Sequence, residues 1–194
     1  MKIAIIDYGA GNIQSIKFAI KRLGYDAVLT DDAAEIKAAD KVIFPGVGEA
    51  SSAMKMLKST GLDTVIPKLT QPVLGICLGM QLMCEYCEEG DTTGLSIFDA
   101  KVVKFDNSVK VPQIGWNQIY DLQSDLFEGV NEKEYVYLVH SFYVKECEET
   151  ICSTEYGVEY TSAIKKNNFY GVQFHPEKSS KAGEKILENF LKLE

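Results

Sequence analysis

Residues 72–81 read PVLGICLGMQ, and this stretch decides the class of fold. Its first half, residues 72–76, is short and apolar, which indicates a strand buried on both faces. Its second half predicts a helix over residues 78–87. A buried strand followed at once by a helix is typical of a parallel sheet, because parallel strands need a crossover connection between them.

The same alternation of strand and helix runs back to the N-terminus. Aliphatic runs predict strands at residues 2–7, 27–30 and 41–44. Asn12 is a residue type that caps helices, and helical spacing of apolar residues continues from there to Gly24. Helices are also predicted over residues 31–38, 50–57 and 63–69. The first half of the chain therefore indicates a parallel sheet with helices on both faces.

The second half contains strands without intervening helices. They are predicted at residues 100–105, 117–120, 135–144, 151–156, 161–165 and 169–174, before a final helix over residues 180–193. This pattern favours antiparallel strands added to the parallel core. No stretch rich in Pro, Gly or Ser divides the 194 residues. We therefore predict one α/β domain over residues 1–194, with a mostly parallel central sheet.

Composition excludes several classes of partner. The formal net charge of -8 argues against a nucleic-acid-binding surface. No apolar run reaches the roughly 18 to 20 residues that a membrane helix needs. Asp7 interrupts the N-terminal apolar stretch, which argues against a signal peptide, and five cysteines without an export signal suggest free thiols. We expect a cytoplasmic protein with no nucleic-acid or membrane partner.

Cys77 stands at the turn between the strand and the helix of the first motif. A nucleophile on such a turn is exposed above the sheet, and Gly75 and Gly79 let the backbone turn sharply. The helix N-terminus favours a thiolate, and the backbone N–H of Leu78 can hold an oxyanion. Taken alone, the motif is explained equally well by a small buried cysteine.

Residues 173–177 read QFHPE and supply a second candidate. Residues two apart in an extended segment point the same way, so the Glu177 carboxylate can fix the tautomer of the His175 imidazole. Pro176 indicates the end of a strand. A surface turn explains this motif alone. Together with Cys77, it supplies the nucleophile, base and orienting carboxylate that attack on an acyl carbon requires.

A glycine-rich loop at residues 45–48 follows the third predicted strand. Gly46 and Gly48 free backbone N–H groups to face a site at the carboxyl ends of the sheet. The functional interpretation is the second half of an oxyanion hole. The alternative is an ordinary loop between a strand and a helix.

These motifs, GICLGMQ at 75–81 and QFHPE at 173–177, resemble those of the class I glutamine amidotransferases. Further motifs resemble the glutaminase subunits of imidazole glycerol phosphate synthase: DYGAGN at 7–12, PGVG at 45–48, VPQIGWN at 111–117, VHSFY at 139–143 and HPEKS at 175–179. The likeness spans nearly the whole chain. It implies a flavodoxin-like sheet and a Cys-His-Glu triad of Cys77, His175 and Glu177.

The resemblance implies an activity and a partner. Glutamine would be hydrolysed to glutamate through a Cys77 thioester, without a metal or organic cofactor. Ammonia would pass to a cyclase subunit of (β/α)8-barrel fold, in a heterodimer of histidine biosynthesis. Glutaminase activity would stay low until the partner binds its ligand, with the 45–48 backbone as the switch.

The resemblance also assigns residues. It places at the oxyanion and at glutamine Gly46, Val47, Gly48, Leu78, Gln81, Ser141 and Phe142. It places at the partner interface Asn12, Gln113, Trp116, Asn117 and Lys178. The family commonly has His where this chain has Gln113. Trp116 can equally belong to the core.

Other functions fit parts of the sequence. Within the amidotransferases, the alternative is a paralogous subunit that feeds ammonia to another synthase. A stand-alone cysteine hydrolase would use the same nucleophile turn with a different substrate pocket. A non-catalytic protein would keep the fold without the chemistry.

Three local patterns suggest other chemistry. Gly9-Ala10-Gly11 after the first strand resembles a dinucleotide-binding loop, but the third glycine position holds Gln14. The remaining cysteines allow a four-thiolate zinc site, with Cys84 and Cys87 on a helix and Cys147 and Cys152 loosely spaced. His140 is the one other imidazole available as a base.

Overall fold

The computed structural model describes residues 1–9 and 11–194, so Ala10 of the 7–12 motif lies outside the described residues. The first half alternates strands and helices as the sequence predicts. Its elements are β1 (Ile3–Ile6), α1 (Ile13–Arg22), β2 (Ala27–Thr30), α2 (Ala33–Lys37), β3 (Lys41–Phe44), α3 (Ala50–Thr60), α4 (Leu62–Val65), β4 (Val73–Ile76) and α5 (Leu78–Met83).

The second half is mostly strand and ends in a helix. Its elements are β5 (Cys84–Cys87), β6 (Thr92–Thr93), β7 (Phe98–Lys104), β8 (Gln113–Gln118), β9 (Tyr135–His140), β10 (Phe142–Val144), β11 (Thr150–Glu155), β12 (Glu159–Lys166), β13 (Phe169–Val172) and α6 (Ser180–Lys192). A short 3-10 helix, Pro176–Lys178, follows β13.

The central sheet combines parallel and antiparallel pairing. Five parallel strands lie in the order β2-β1-β3-β4-β13. The sheet then continues through β12, β10, β7, β5 and β6, and the first three of these added pairings are antiparallel. Strands β8 and β9 form a separate antiparallel ribbon, in which Gln113 lies opposite His140. The predicted fold class is confirmed.

Both faces of the parallel sheet are buried, because side chains alternate along each strand. Ile3 and Ile5 of β1 pack on the face that also buries Ile20 of α1 and Phe190 of α6. Ala4 and Ile6 of β1 pack on the opposite face, with α3 and α5. This two-sided burial explains why the parallel strands are continuous aliphatic runs.

The helix predicted over 78–87 is wrong in its second half. Helix α5 ends at Met83, and Cys84–Cys87 is strand β5, which pairs with β6 and β7. Cys84 and Cys87 therefore bury their side chains from a strand, and they do not share a helical face with Cys77. Backbone pairing with β7 overrides the local preference, as tertiary contacts often do for short segments.

Two smaller expectations also change. Asn12 occupies the N-cap position of α1, but its side chain makes no cap hydrogen bond with the backbone. Its Oδ1 instead accepts from Ser15 Oγ at 3.1 Å. The strand predicted over 135–144 is interrupted at Ser141, which separates β9 from β10.

Three features bear on the expectations and alternatives drawn from the sequence. Across residues 1–9 and 11–194, no helix is long and apolar enough to span a membrane. All five cysteines are free thiols. Within the same residues, no group of three or more His, Cys, Asp or Glu side chains is placed to hold a metal ion.

Candidate active site

The three sequence motifs meet at one edge of the parallel sheet. Strand β4 lies between β3 and β13, and all three run parallel. The 45–48 loop, Cys77 and His175 each follow the carboxyl end of one of these strands. Open α/β sheets bind ligands at this edge. The topology therefore brings together segments that are far apart in sequence.

Cys77 has a strained backbone. Its φ of 54° and ψ of -110° lie in a region that residues with a Cβ rarely adopt. Its N–H donates to Val172 O at 2.8 Å, and its carbonyl accepts from Gln81 N at 3.2 Å. These bonds to β13 and α5 hold the strained turn in place. Backbone strain of this kind is characteristic of functional sites.

Glycines allow the loop after β3 to pack against the cysteine turn. A Cβ on Gly79 would lie 1.9 Å from Phe44 O, and a Cβ on Gly46 would lie 2.8 Å from Gly79 N. Tyr8 secures the loop from below, because its hydroxyl donates to Pro45 O at 2.9 Å. The backbone N–H groups of the loop and of the first turn of α5 therefore lie close together.

His175 and Glu177 form a hydrogen-bonded pair. His175 Nδ1 lies 2.9 Å from Glu177 Oε1, and both side chains are almost fully buried. The segment between them is a 3-10 turn rather than the extended strand end assumed from the sequence. Ser179 fixes the turn, because its hydroxyl donates to His175 O at 2.7 Å and accepts from Tyr137 N at 2.9 Å.

The surroundings of His175 favour its charged form. Burial lowers the pKa of the imidazole, but hydrogen bonds to Cys77 and Glu177 outweigh that effect and raise the pKa to about 10. Among the described residues, the second oxygen of Glu177 is buried without a hydrogen-bond partner. The hydrogen bond of the carboxylate is therefore made to His175, and His175 lines the same cavity as Cys77.

One cavity of about 350 Å3 is lined by both Cys77 and His175. Its lining includes most of the expected oxyanion and glutamine residues, namely Val47, Gly48, Leu78, Gln81, Ser141 and Phe142, beside Cys77 and His175. Glu177 lies behind His175. Of the expected interface residues, Lys178 reaches the cavity. Sequence reasoning assigned no site role to Glu89, Pro112 and Val139, whereas His140, which also lines the cavity, was considered as an alternative base.

Glu89 supplies an acidic group to the cavity. Its Oε2 accepts from Ala50 N at the start of α3, at 2.8 Å. Burial raises the pKa of Glu89, the Ala50 hydrogen bond opposes the rise, and the nearby Glu49 adds to it. The turn between β5 and β6 carries Glu89 into the cavity. No sequence signal was available for this placement, because the turn was predicted to follow a helix.

The Phe142 carbonyl fixes the orientation of two side chains. It accepts from Gln81 Nε2 at 2.9 Å and lies 2.8 Å from His140 Nδ1. A carbonyl oxygen can only accept, so His140 must carry its proton on Nδ1. His140 Nε2 then faces the Tyr160 hydroxyl at 3.2 Å, and that hydroxyl contacts Gln113 Oε1 at 3.0 Å. His140 therefore supports the cavity wall.

His140 stays neutral at ordinary pH. Burial lowers its pKa, the hydrogen bond to Phe142 O opposes this, and the charge of His175 lowers it further, to about 4. The folded chain thus binds a proton at His140 far less readily than the unfolded chain, whose histidines titrate near 6.5.

We expect His140 to destabilise the fold in mild acid. As the pH falls from 6.5 to 4, the unfolded chain gains a proton at His140 that the folded chain does not bind. The free energy of unfolding should fall by about 3 kcal/mol over this window. His175 adds no such loss, since its raised pKa keeps it protonated in both states there.

Urea unfolding of the wild type and of His140→Asn at pH 7, 5.5 and 4.5 measures this effect. The asparagine amide can still donate to Phe142 O but does not titrate. The variant should lose less stability between pH 7 and 4.5 than the wild type. Equal losses would show that His140 is not the group responsible.

The expected interface residues lie mainly on the β8–β9 ribbon. Trp116 is 52% exposed, which excludes a core position, and its ring lies 5.9 Å from that of Tyr137. Lys178 Nζ lies 5.9 Å from the centre of the same Tyr137 ring. Ile114 and Tyr135 are also more than half exposed. The ribbon and Lys178 form an apolar surface beside the cavity.

The other interface candidates are engaged within the chain. Gln113 is 4% exposed and bonded to Tyr160, so it lies beneath the ribbon surface. Asn117 Nδ2 donates to Glu155 O at 2.9 Å. Asn12 is bonded to Ser15 of its own helix.

Fold and site together define the class. The sequence model of the family described as glutamine amidotransferase class-I matches residues 4–193. Solved structures with the same fold include a glutamine amidotransferase (TM-score 0.77, 16% identity, 98% of this chain and 97% of that one). Another is PurLQS from Thermotoga maritima (TM-score 0.75, 15% identity, 98% and 97%). The chain belongs to the class-I glutamine amidotransferases.

Sequence relatives narrow the family. The chain is 55% identical to imidazole glycerol phosphate synthase subunit HisH of Bacteroides thetaiotaomicron, over the full length of both chains. It is 47% identical to the HisH subunit of Haemophilus influenzae, covering 98% of this chain and 97% of that one. Within its class, the chain therefore belongs to the HisH subunit family.

Proposed function

We propose that residues 1–194 form a single glutaminase domain that hydrolyses glutamine and delivers ammonia to the cyclase of imidazole glycerol phosphate synthase, in histidine biosynthesis. One observation carries the chemistry. The strained Cys77 faces the same cavity as His175, whose imidazole is hydrogen-bonded to Glu177. Nucleophile, base and orienting carboxylate are thus assembled in one place.

The reaction follows from this geometry. The sulfur of Cys77 attacks the side-chain amide carbon of glutamine, and His175 protonates the departing nitrogen, which leaves as ammonia. The acyl group stays on sulfur as a thioester. His175 then takes a proton from water, whose oxygen attacks the thioester carbon. The C–S bond breaks and releases glutamate, which leaves the sulfur of Cys77 ionised and His175 charged, as they were at the start. Glu177 keeps the imidazole oriented through both steps.

The oxyanion formed in each step needs nearby donors. The N–H of Leu78 opens α5, where its backbone donor is free for a ligand. The loop of Gly46, Val47 and Gly48 packs beside it. Gly48 has φ of 101°, and glycine adopts many backbone conformations, so the Val47–Gly48 peptide, which carries the N–H of Gly48, can change its orientation at low cost. Partner binding would control activity by turning this donor towards or away from the oxyanion.

The cavity also offers partners for the free amino acid. Glutamine carries an ammonium group, and the Glu89 carboxylate lines the cavity at its side. Gln81 uses both amide hydrogens within the protein, which leaves its Oε1 to accept from the substrate amide. The Ser141–Phe142 backbone completes the wall.

The apolar surface of the ribbon fits a partner subunit. Trp116, Ile114 and Tyr135 are exposed beside the mouth of the cavity, where ammonia must leave. A cyclase of (β/α)8-barrel fold, bound over this surface as a heterodimer, would receive ammonia away from bulk water. Large exposed aromatic residues are the side chains that anchor such interfaces.

Glutamate release tests the function. Purified chain and glutamine are assayed alone, with the cyclase of the same synthase, and with the cyclase plus its nucleotide ligand. Activity should rise stepwise and should produce imidazole glycerol phosphate only in the complete mixture. The proposal fails if the cyclase neither binds the chain nor changes its glutaminase rate.

Trp116→Ala should weaken this complex. Loss of a half-exposed aromatic anchor costs about 2 kcal/mol, or roughly thirtyfold in Kd. Val28→Ala, a similarly exposed apolar residue on β2, should leave Kd within about threefold, since scattered surface residues contribute little. Calorimetric titration with the cyclase gives both values. Equal effects of the two substitutions would place the partner elsewhere.

A further inference from the structure

Gln173 lies between the nucleophile and the wall of the substrate cavity. It follows β13, two residues before His175, and its side chain is fully buried. Its backbone N–H donates to Ser162 O at 2.8 Å, which anchors it to β12. The side chain reaches two partners: Gln81 Nε2 lies 2.9 Å from Gln173 Oε1, and Gln173 Nε2 lies 3.7 Å from Cys77 Sγ.

Hydrogen-bonding rules fix the direction of this chain of amides. Phe142 O can only accept, so Gln81 must turn its NH2 group towards it. The second hydrogen of that NH2 group then points at the side chain of Gln173. The Gln173 amide must therefore turn its carbonyl oxygen, Oε1, towards Gln81 as the acceptor. The amide nitrogen of Gln173 is left facing the sulfur. A backbone carbonyl on β10 thus determines that the neighbour of Cys77 is a donor.

We propose that Gln173 is a catalytic residue, whose buried amide N–H donates to Cys77 Sγ and stabilises the ionised sulfur. The donor is held by Gln81, so the nucleophile and the wall of the glutamine cavity are joined by direct hydrogen bonds. This role rests on the proposed function only in naming Cys77 as the nucleophile. The contact itself concerns the sulfur with or without glutamine.

Charged and titratable groups surround the sulfur on several sides. His175 lines the same cavity, with Glu177 bonded to its imidazole, and the backbone carbonyl of Val139 lies 3.8 Å from the sulfur. Burial and the sulfur of Cys77 raise the pKa of Tyr8 far above its usual range, so that phenol stays neutral. The other titratable groups on the cavity wall are Glu89, His140 and Lys178. Gln173 differs from all of these groups because its amide N–H is a hydrogen-bond donor whose charge does not change with pH.

Loss of the donor has a consequence that does not depend on turnover. A donor to the ionised sulfur favours that form, so removing the donor should shift sulfur ionisation to higher pH. The rate of Cys77 alkylation by iodoacetamide follows ionisation. The rate is measured against pH on the full chain, by mass spectrometry of the peptide that contains Cys77. This measurement distinguishes alkylation of Cys77 from alkylation of the other cysteines, and it needs neither glutamine nor a partner.

Three variants distinguish the donor from simple packing. Gln173→Met keeps the length of the side chain and removes both hydrogen bonds. Gln173→Glu keeps the acceptor for Gln81 and replaces the donor at the sulfur with a carboxylate. Gln81→Met removes the hydrogen bond from Gln81 Nε2 to Gln173 Oε1 but leaves the Gln173 amide beside Cys77. Melting temperatures establish that each variant is folded.

The midpoint of the alkylation curve should rise by about one pH unit in Gln173→Met. It should rise further in Gln173→Glu and change least in Gln81→Met, whose main effect should be a higher KM for glutamine. If Gln173→Glu does not fold, Gln173→Met decides. An unchanged midpoint in a folded Gln173 variant overturns the proposal. A shifted midpoint in a chain without glutaminase activity would support the contact and refute the proposed function instead.

Discussion

Replacing Cys77 by alanine should lower glutamate release by about a millionfold, the loss seen when a triad nucleophile is removed. A thioester needs a sulfur, and Cys77 is the one thiol among the described residues that line the cavity. The fold should persist. Alanine is smaller, and it keeps the backbone bonds to Val172 and Gln81. Steady-state glutamate release with the cyclase bound measures the loss.

Cys147→Ser is the matched control for this substitution. Cys147 is a partly buried free thiol in the loop between β10 and β11, and its sulfur contacts Glu149 and Thr150 rather than the cavity. Its replacement by serine should leave turnover within about twofold, because the side chain does not line the cavity. Comparable losses in both variants would mean that thiol loss harms the fold rather than the chemistry.

The second large effect is expected at Gly79. A Cβ at this position would lie 1.9 Å from Phe44 O and 2.9 Å from Phe44 C. Both are backbone atoms of β3, so no side-chain rotation relieves the clash. We expect Gly79→Ala to cost at least about 3 kcal/mol of stability, since overpacked interiors lose about 1–3 kcal/mol even where they can adjust. Urea unfolding measures this loss.

Activity should fall with stability in Gly79→Ala, because the clash separates the oxyanion loop from the cysteine turn. Gly24→Ala provides the comparison. Gly24 has φ of 88° with open space around it, so alanine there meets conformational strain but no atoms. It should cost about 1–2 kcal/mol and keep full activity. If Gly79→Ala were as mild as Gly24→Ala, the close contact between the loop and the turn would be wrong.

The sequence predicted the parallel half of the fold because burial on both faces leaves a clear pattern. The strands over 27–30 and 41–44 agree with the structure at both ends, although β2 lies at the edge of the sheet and leaves Val28 half exposed. Helix α5 was predicted too long. Nothing in the local sequence of Cys84–Cys87 reveals its partner strand, β7, which lies further along the chain.

Some parts of the site could be predicted from the sequence, and others could not. The 45–48 loop and Cys77 follow strands that were predicted to be parallel, which explains why both were expected at the same edge of the sheet. The strand before His175 was predicted among the added antiparallel strands, but β13 pairs parallel with β4, and this pairing brings His175 to the same edge. Glu89 lines the cavity and Gln173 lies beside Cys77 because packing sets the directions of their side chains. Gln113 was expected at an interface, but the alternation of β8 turns it inward and leaves Trp116 outside. Side-chain directions of this kind depend on strand register, and the register cannot be predicted without knowing which strand is the partner.

Labelling with a diazoketone analogue of glutamine most directly tests the claim that Cys77 is the nucleophile of a glutamine site. The full chain is incubated with the analogue, with and without excess glutamine, and modified peptides are identified by mass spectrometry. We predict one adduct, on Cys77, that glutamine suppresses and that His175→Ala slows strongly. An adduct on Cys147 or another cysteine, or labelling of Cys77 that glutamine does not affect, would contradict the account.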